Sequence, residues 1–103
     1  MTPRGVTAGH NRERQVKALL VSKGWVVVRA AASLGCADLV ALRNGDQPML
    51  VEVKSTAGGP WKTFGPAARA ALSRAADQAG ADAYLCWWPP RLEPRWFDEG
   101  SWP

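Results

Sequence analysis

Three charged residues, Asp38, Glu52 and Lys54, fall within or beside apolar stretches of the chain. Side chains alternate along a strand, so Glu52 and Lys54 share one face of the segment MLVEVK with Leu50. Two charges on one face of an otherwise apolar strand are costly unless that face opens into a site. The pattern therefore predicts a polar site at this strand, built from carboxylate and ammonium groups.

A hairpin turn is predicted to bring the two acids together. Asn44-Gly45 is a strong hairpin signal and predicts that strands 37–42 and 48–55 run antiparallel. Asp38 lies six residues before Asn44, and Glu52 lies seven after Gly45, which places the carboxylates within one residue of cross-strand register. Two converging carboxylates suit a hard divalent cation, with Mg²⁺ the natural occupant. Lys54 could position a water there and stabilise charge on a phosphate under attack.

A simpler interpretation treats Glu52 and Lys54 as solvent-facing strand residues and Asp38 as a turn residue, because so short a motif recurs by chance. The hairpin context and the distribution of charge favour the site. The net charge is +4, and Glu13 is the only acid up to Arg29. The basic residues in that part of the chain are Arg4, Arg12, Arg14, Lys17, Lys23 and Arg29. A basic N-terminal third indicates a polyanionic partner, most simply nucleic acid, although a solvated helix face is the alternative.

The bulk composition predicts one small globular domain over residues 1–103, with residues 1–9 as a flexible arm. A chain of 103 residues exposes much of its apolar surface, so pairing with a second copy would help it. No signal peptide and no stretch able to span a bilayer is recognisable. Cys36 and Cys86 form neither a CxxC pair nor a zinc spacing, which is typical of reduced thiols. We therefore expect a soluble, intracellular (cytoplasmic) protein.

The order of elements predicts an α/β fold in which helices flank a small mixed sheet. A one-sided apolar stripe predicts a helix over residues 10–23, ended by Gly24. Strands are predicted at 25–30, 37–42, 48–55 and 81–88, and an alanine-rich helix at 66–79. The segment RWFDEGSWP is predicted to add a short edge strand.

Asp38 followed by Glu52-Val53-Lys54 resembles the PD-(D/E)xK nuclease core, with Ala37 where that motif often has proline. More specifically, residues 4–56 resemble the archaeal-type Holliday junction resolvases. That family has Glu-Arg on its first helix, here Glu13-Arg14. It then has a strand ending in arginine and a small-residue loop with serine. The corresponding residues here are Arg29 and Ser33.

The resemblance implies a restriction-endonuclease-like fold and a role for each matching residue. Asp38, Glu52 and the Val53 carbonyl would ligate Mg²⁺, for which Mn²⁺ would substitute, and Lys54 would orient or activate the attacking water. Glu13 would help to hold metal-linked water or a second ion, and Ser33 would lie beside the scissile phosphate. The predicted DNA-binding residues are Arg4, Arg12, Arg14, Arg29 and Lys62.

The leading hypothesis is a Mg²⁺-dependent endonuclease that resolves four-way DNA junctions as a homodimer, by paired symmetric nicks. Two alternatives remain open: a nuclease of the same superfamily acting on flaps, nicks or duplex, and a non-catalytic nucleic-acid-binding module. Trp61 and Phe64 could stack on unpaired bases at a branch point or pack within their own loop. Of Trp87 and Trp88, one is expected to face the core and the other a dimer interface.

Overall fold

The structure is a computed structural model. It describes the backbone of residues 4–30 and 37–103 and the side chains of residues 11–30 and 37–103. Two α-helices, five strands and a short 3₁₀ turn are described. In chain order they are α1 (Arg4–Ser22), β1 (Val26–Arg29), β2 (Leu39–Leu42), β3 (Met49–Lys54), α2 (Pro66–Ala79), β4 (Asp82–Trp87), β5 (Arg95–Asp98) and the 3₁₀ turn (Glu99–Ser101).

Most element boundaries match the prediction to within one or two residues, and α2 has the predicted bounds. The exception is α1, which begins at Arg4 rather than near residue 10. Gly5 and Gly9 lower helix propensity, but extending an existing helix by one residue costs far less than nucleating a new one. The predicted edge strand is confirmed as β5. No helix among the described residues is both long and apolar enough to cross a bilayer.

The five strands form one mixed sheet in the order β1-β2-β3-β4-β5. The β2–β3 pair is antiparallel, as predicted, and Gly45 at its turn has a φ of 85°, which glycine adopts without a steric penalty. Strands β3 and β4 are parallel, so α2 makes the crossover between them. The Gly80 N–H caps α2 by donating to the carbonyls of Ala76 and Asp77, and the chain turns directly into β4.

The sheet has an apolar core on each face. Helix α1 covers one face, where Val16 and Leu20 pack against Val51, Val53 and other buried side chains. Helix α2 covers the other face, where Leu72 and Ala76 pack with Leu50, Phe64, Ala83 and Leu85. We call these the α1 face and the α2 face. Burying each large apolar side chain contributes about 1.5–3 kcal/mol, so both helices are held mainly by these contacts.

Strand parity assigns the functional candidates to faces. Leu50 faces α2, so Glu52 and Lys54, at two-residue intervals along β3, lie on the α2 face as well. The neighbouring tryptophans lie on opposite faces of the sheet, as predicted: Trp88 packs against the α1-face core, whereas Trp87 follows Leu85 onto the α2 face. The dimer interface expected at one of them stays a prediction. Cys86 is a buried free thiol, and burial raises its pKa to about 12. Cys36 lies outside the described residues.

Candidate active site

Asp38 and Glu52 lie opposite each other where β2 begins and β3 approaches its end. Leu39 pairs with Val51, so one further step along this antiparallel ladder places Asp38 across from Glu52. The Asp38 N–H donates to the Val51 carbonyl at 2.9 Å. The Asp38 Oδ2 accepts the Val53 N–H at 2.8 Å, which fixes this carboxylate over β3. The predicted convergence of the two carboxylates is therefore present in the fold.

The Glu52 carboxyl is strongly perturbed by this neighbourhood. Its pKa is raised to about 9, first by burial and then by the hydrogen bond and the repulsion from the Asp38 carboxylate. Attraction to Lys54 and the Val53 N–H oppose the rise. A half-buried carboxyl held beside a second carboxylate is far from the solvent-facing strand residue of the simpler interpretation. Burial and cross-strand contact therefore favour a functional site over a charged surface strand.

Lys54 completes the cluster on the same face of β3. Its side chain is half-buried and lies two residues from Glu52 on the same face of β3, where its charge lowers the pKa of the Glu52 carboxyl. The Lys54 carbonyl accepts the Trp88 N–H at 2.8 Å, so the end of β3 is held by β4. Because a backbone hydrogen bond joins Lys54 to β4, its Cα and the face from which its side chain leaves the strand are fixed.

The donor set of this cluster suits a divalent cation. Two oxygen ligands from Asp38 and Glu52 converge, and burial together with the neighbouring Asp38 carboxylate raises the Glu52 pKa so far that this carboxyl holds a proton at neutral pH. A hard cation would replace that proton and remove the repulsion. Across the described part of the chain, no three acidic, histidine or cysteine side chains group closely enough to hold a metal together. A cation at this pair would therefore need backbone or water oxygens as further ligands.

Glu13 is placed beside Arg29 rather than beside the two carboxylates. The Arg29 Nε donates to the Glu13 Oε1 at 3.0 Å, and the glutamate is the more buried partner. Arg29 pairs with Leu39 across β1–β2, so its side chain lies on the α1 face, whereas Asp38 and Glu52 lie on the other face. The fold thus brings Glu13 and Arg29 together at the edge of β1 and does not add Glu13 to the carboxylate pair.

Arg12 has internal partners that the sequence did not reveal. Its Nε donates to the Trp88 carbonyl at 2.8 Å, its Nη2 donates to the Pro89 carbonyl at 3.1 Å, and its Cζ lies 4.7 Å from the Trp88 ring centroid. A third bond goes from Nη1 to Gln15. These contacts join α1 to the segment after β4. They assign Arg12 a structural role, and its predicted contact with DNA stays a prediction.

The remaining predicted residues differ in what the structure says about them. Arg14 is exposed on α1. Lys62 is exposed on the loop after β3, where its Cδ passes 3.2 Å from the position a Cβ at Gly58 would occupy. Ser33 and the side chain of Arg4 lie outside the described residues.

The aromatic pair in the loop after β3 is used for packing. Phe64 is 0% exposed and belongs to the α2-face core. Trp61 is half-buried, stacks on Phe64 at a centroid distance of 6.4 Å and meets Phe97 edge-on at 5.2 Å. Of the two interpretations of this pair, local packing is the one that the structure favours, because a fully buried ring cannot stack on a base without unfolding its own loop.

Two residues near the site were not identified as site residues from the sequence. Trp87 pairs with Lys54 in the parallel ladder, and its Nε1 donates to the Thr56 carbonyl at 2.8 Å. Arg95 pairs in turn with Trp87. Arg95 and Phe97 are two residues apart, so in a strand they lie on the same face, one polar and one apolar. This spacing was the sequence signal available for Arg95. The partner of that strand could not be read from the sequence.

Comparison with known proteins gives a consistent result. The family model described as archaeal Holliday junction resolvase (Hjc) matches residues 5–99. Among solved structures, fifteen chains match significantly. One of them is Hjc from Archaeoglobus fulgidus, a Holliday junction resolvase from an archaeal hyperthermophile. It is 29% identical with a TM-score of 0.79, over 90% of this chain and 74% of that one. A search of curated proteins finds no match. The structural match confirms the predicted restriction-endonuclease-like fold.

Proposed function

This chain belongs to the archaeal Holliday junction resolvase family, and we propose that it resolves four-way DNA junctions by paired, symmetric, Mg²⁺-dependent nicks. Members of the family are nucleases, so the chain is an enzyme of DNA recombination and repair. The observation that carries the proposal is the Asp38–Glu52 carboxylate pair with Lys54 on the same sheet face. A protein that only binds DNA has no need of two repelling, half-buried acids next to a lysine.

Asp38 and Glu52 are the side chains that hold the cation, with the Val53 carbonyl as a third ligand. When bound, Mg²⁺ (or Mn²⁺ in its place) supplies Lewis-acid stabilisation of the charge that builds on the phosphate. Lys54 orients or activates the water that attacks in line. Its position on the same face, two residues beyond Glu52, supports this role. Ser33 contacts the scissile phosphate in this proposal.

Basic residues around the site hold the DNA backbone. Arg29 donates to Glu13 through its Nε alone. Its terminal amino groups have no acceptor among the described residues, so they can bind a phosphate. Glu13 orients Arg29 at the edge of β1, on the α1 face. Arg14 and Lys62 are exposed and add phosphate contacts, as does Arg4. Binding is then largely electrostatic and led by the shape of the junction.

A homodimer fits the substrate. A four-way junction is roughly two-fold symmetric, and two-fold pairing of subunits places one site on each of two opposing strands. DNA as substrate, together with two cysteines suited to a reducing compartment, supports an intracellular location.

The test is cleavage of a labelled four-way junction compared with a duplex made from the same arm sequences. Wild type and Asp38→Asn are assayed in Mg²⁺, in Mn²⁺ and in EDTA. We expect symmetric, cation-dependent cuts in the junction alone, which Asp38→Asn abolishes while it still binds. Equal cutting of the duplex would make the protein a general nuclease, and binding without any cutting would make it a binding module.

A second assay tests whether the nicks are paired. A supercoiled plasmid with an extruded cruciform yields linear DNA when both strands are cut within one binding event, and an open circle when only one is cut. We expect linear DNA from wild type. Mixing wild type with excess Asp38→Asn should shift the product to open circle, because a mixed dimer contains one working site. Products that do not change with the mixing ratio would contradict the dimer.

A further inference from the structure

Arg95 lies in the same row of the sheet as Lys54, on the face that carries the carboxylates. Lys54 pairs with Trp87 in the parallel ladder, and Trp87 pairs with Arg95 in the antiparallel one. Paired residues of neighbouring strands share a face, so the three side chains form a line across β3, β4 and β5. With strands about 4.8 Å apart, the Arg95 Cα lies roughly 10 Å from that of Lys54.

The Arg95 side chain is cationic and exposed, and it has no acidic partner among the described residues. Its Cζ lies 5.2 Å from the centroid of the Phe97 ring, which holds the guanidinium against the α2 face. The ion pairs in the described part of the chain join Arg29 to Glu13 and Arg43 to Asp46. Stacking uses the flat face of a guanidinium and leaves its N–H fork free for a planar or phosphate acceptor.

Trp87 forms a fixed floor between Lys54 and Arg95. Its ring is half-buried, and its only side-chain hydrogen-bond donor is used on the Thr56 carbonyl at 2.8 Å, so the indole cannot turn away from the loop that follows β3. A flat ring between two cations gives a strand of nucleic acid a surface with charge at both ends and an apolar middle.

The hairpin that carries Arg95 is held in place at its turn, directly before Arg95. The turn between β4 and β5 contains Pro89, Pro90 and Pro94, and Arg91 adopts a φ of 63°. Arg12 holds the Trp88 and Pro89 carbonyls at 2.8 and 3.1 Å. Proline and these charged hydrogen bonds restrict the turn, so Arg95 starts from a defined position and loses little freedom on binding.

We infer that Arg95 binds a DNA phosphate within two nucleotides of the scissile one, on a strand that lies along the row Lys54–Trp87–Arg95. The inference rests on the proposed nuclease function and adds β5 to the DNA-binding surface. It assigns DNA contact to the C-terminal part of the chain, where acids outnumber basic residues and the charge distribution alone gives no sign of it.

The first test measures junction binding in EDTA, where no strand is cut, for wild type, Arg95→Ala, Arg95→Lys and Lys23→Ala. Lys23 is the matched control, since it is an exposed cation beside Met49, at the opposite end of β3 from Lys54. We expect Arg95→Ala to raise Kd about tenfold, as for the removal of one charged hydrogen bond. The slope of log K against log salt should become shallower by about 0.9, because one phosphate fewer is neutralised. Arg95→Lys should recover the slope, and Lys23→Ala should match wild type.

The second test locates the phosphate. A set of junctions is made, each with a single neutral methylphosphonate in place of one phosphate. The substituted positions are the two on each side of the mapped cut. One of these should weaken wild-type binding but leave Arg95→Ala binding unchanged, because that variant does not bind the phosphate in question. The inference is overturned if every methylphosphonate weakens wild type and Arg95→Ala equally and the two proteins have the same salt slope. In that case, cutting of the junction by wild type would still uphold the proposed nuclease function. If wild type neither binds nor cuts the junction, both fall together.

Discussion

Asp38 lies directly across the β2–β3 ladder from Glu52, and its Oδ2 accepts the Val53 N–H at 2.8 Å. The hairpin thus forces two carboxylates together while the backbone stabilises the charge on one of them. The other, Glu52, is half-buried, and burial together with the Asp38 carboxylate raises its pKa to about 9. In the metal-free protein, the carboxylate pair that the proposed function needs therefore lowers the free energy of unfolding. The next two predictions follow from this.

Asp38→Asn should stabilise the protein in EDTA while abolishing cleavage. The asparagine Oδ1 can still accept the Val53 N–H, and at pH 10, where the wild type carries both carboxylates ionised, the repulsion with Glu52 is gone. We expect a gain of about 0.5–2 kcal/mol in the free energy of unfolding, measured by urea denaturation at that pH. Asp46→Asn is the control, because Asp46 forms only an exposed pair with Arg43 and should change stability little. If Asp38→Asn were less stable than wild type, the Asp38–Glu52 repulsion would not be what destabilises the metal-free protein.

Mg²⁺ affinity should rise with pH up to about 9. Below that pH the metal-free Glu52 is protonated, and a cation must displace the proton, so binding and proton release are linked. The expected gain approaches about tenfold per pH unit, as for one proton released. The same raised pKa means that metal-free stability declines between pH 4.5 and 9, since only the unfolded carboxyl ionises freely there. Titration calorimetry at several pH values, in buffers of different ionisation enthalpy, measures the Mg²⁺ affinity and the protons released. Scanning calorimetry of the metal-free protein at the same pH values measures its stability. An affinity that is flat with pH would refute the linkage.

Arg12 and Arg14 are neighbouring helix residues that should behave oppositely on substitution. Arg12→Ala removes the bonds to the Trp88 and Pro89 carbonyls, so it should lower the free energy of unfolding by about 1.5–3 kcal/mol. Arg14→Ala should change stability by less than about 0.5 kcal/mol because the side chain is exposed, but it should weaken junction binding. Urea midpoints and junction Kd values separate the two effects. If Arg12→Ala were as stable as Arg14→Ala and bound the junction as weakly, Arg12 would be a DNA ligand, as its sequence position predicts.

Trp87→Phe and Trp102→Phe each remove one indole bond to a backbone carbonyl, at Thr56 and at Phe97 respectively. Each should lower stability by about 0.5–1.5 kcal/mol. Only Trp87→Phe should also slow cleavage, by about tenfold, because it frees the loop beside Lys54 and so loosens the position of the lysine. Single-turnover rates at saturating protein report this step. Equal cleavage rates for the two variants would show that Trp87 contributes to stability alone.

Local chemistry was enough to predict the centre of the site. Asn44-Gly45 sets the turn of the β2–β3 hairpin, and the two-residue period of a strand then decides which side chains share a face. Those two facts place Asp38 within one residue of Glu52 across the hairpin and put Lys54 on the same face as Glu52. The exact register, with Asp38 opposite Glu52, is decided by the structure. The helix bounds of α2 were equally local, set by Pro66 at its start and Gly80 after its end.

The surroundings of the site were decided by tertiary packing. Arg12, Arg14 and Glu13 look alike in the sequence as charges on one helix, and only the docking of α1 gives Arg12 the carbonyls after β4 and gives Glu13 the guanidinium of Arg29. Likewise, Arg95 reaches the row of Lys54 only because β5 pairs with β4 and β4 with β3. The hairpin contacts span few residues and are fixed by turn geometry. The others join segments far apart in the chain, whose relative position depends on how two apolar cores pack on the faces of one sheet.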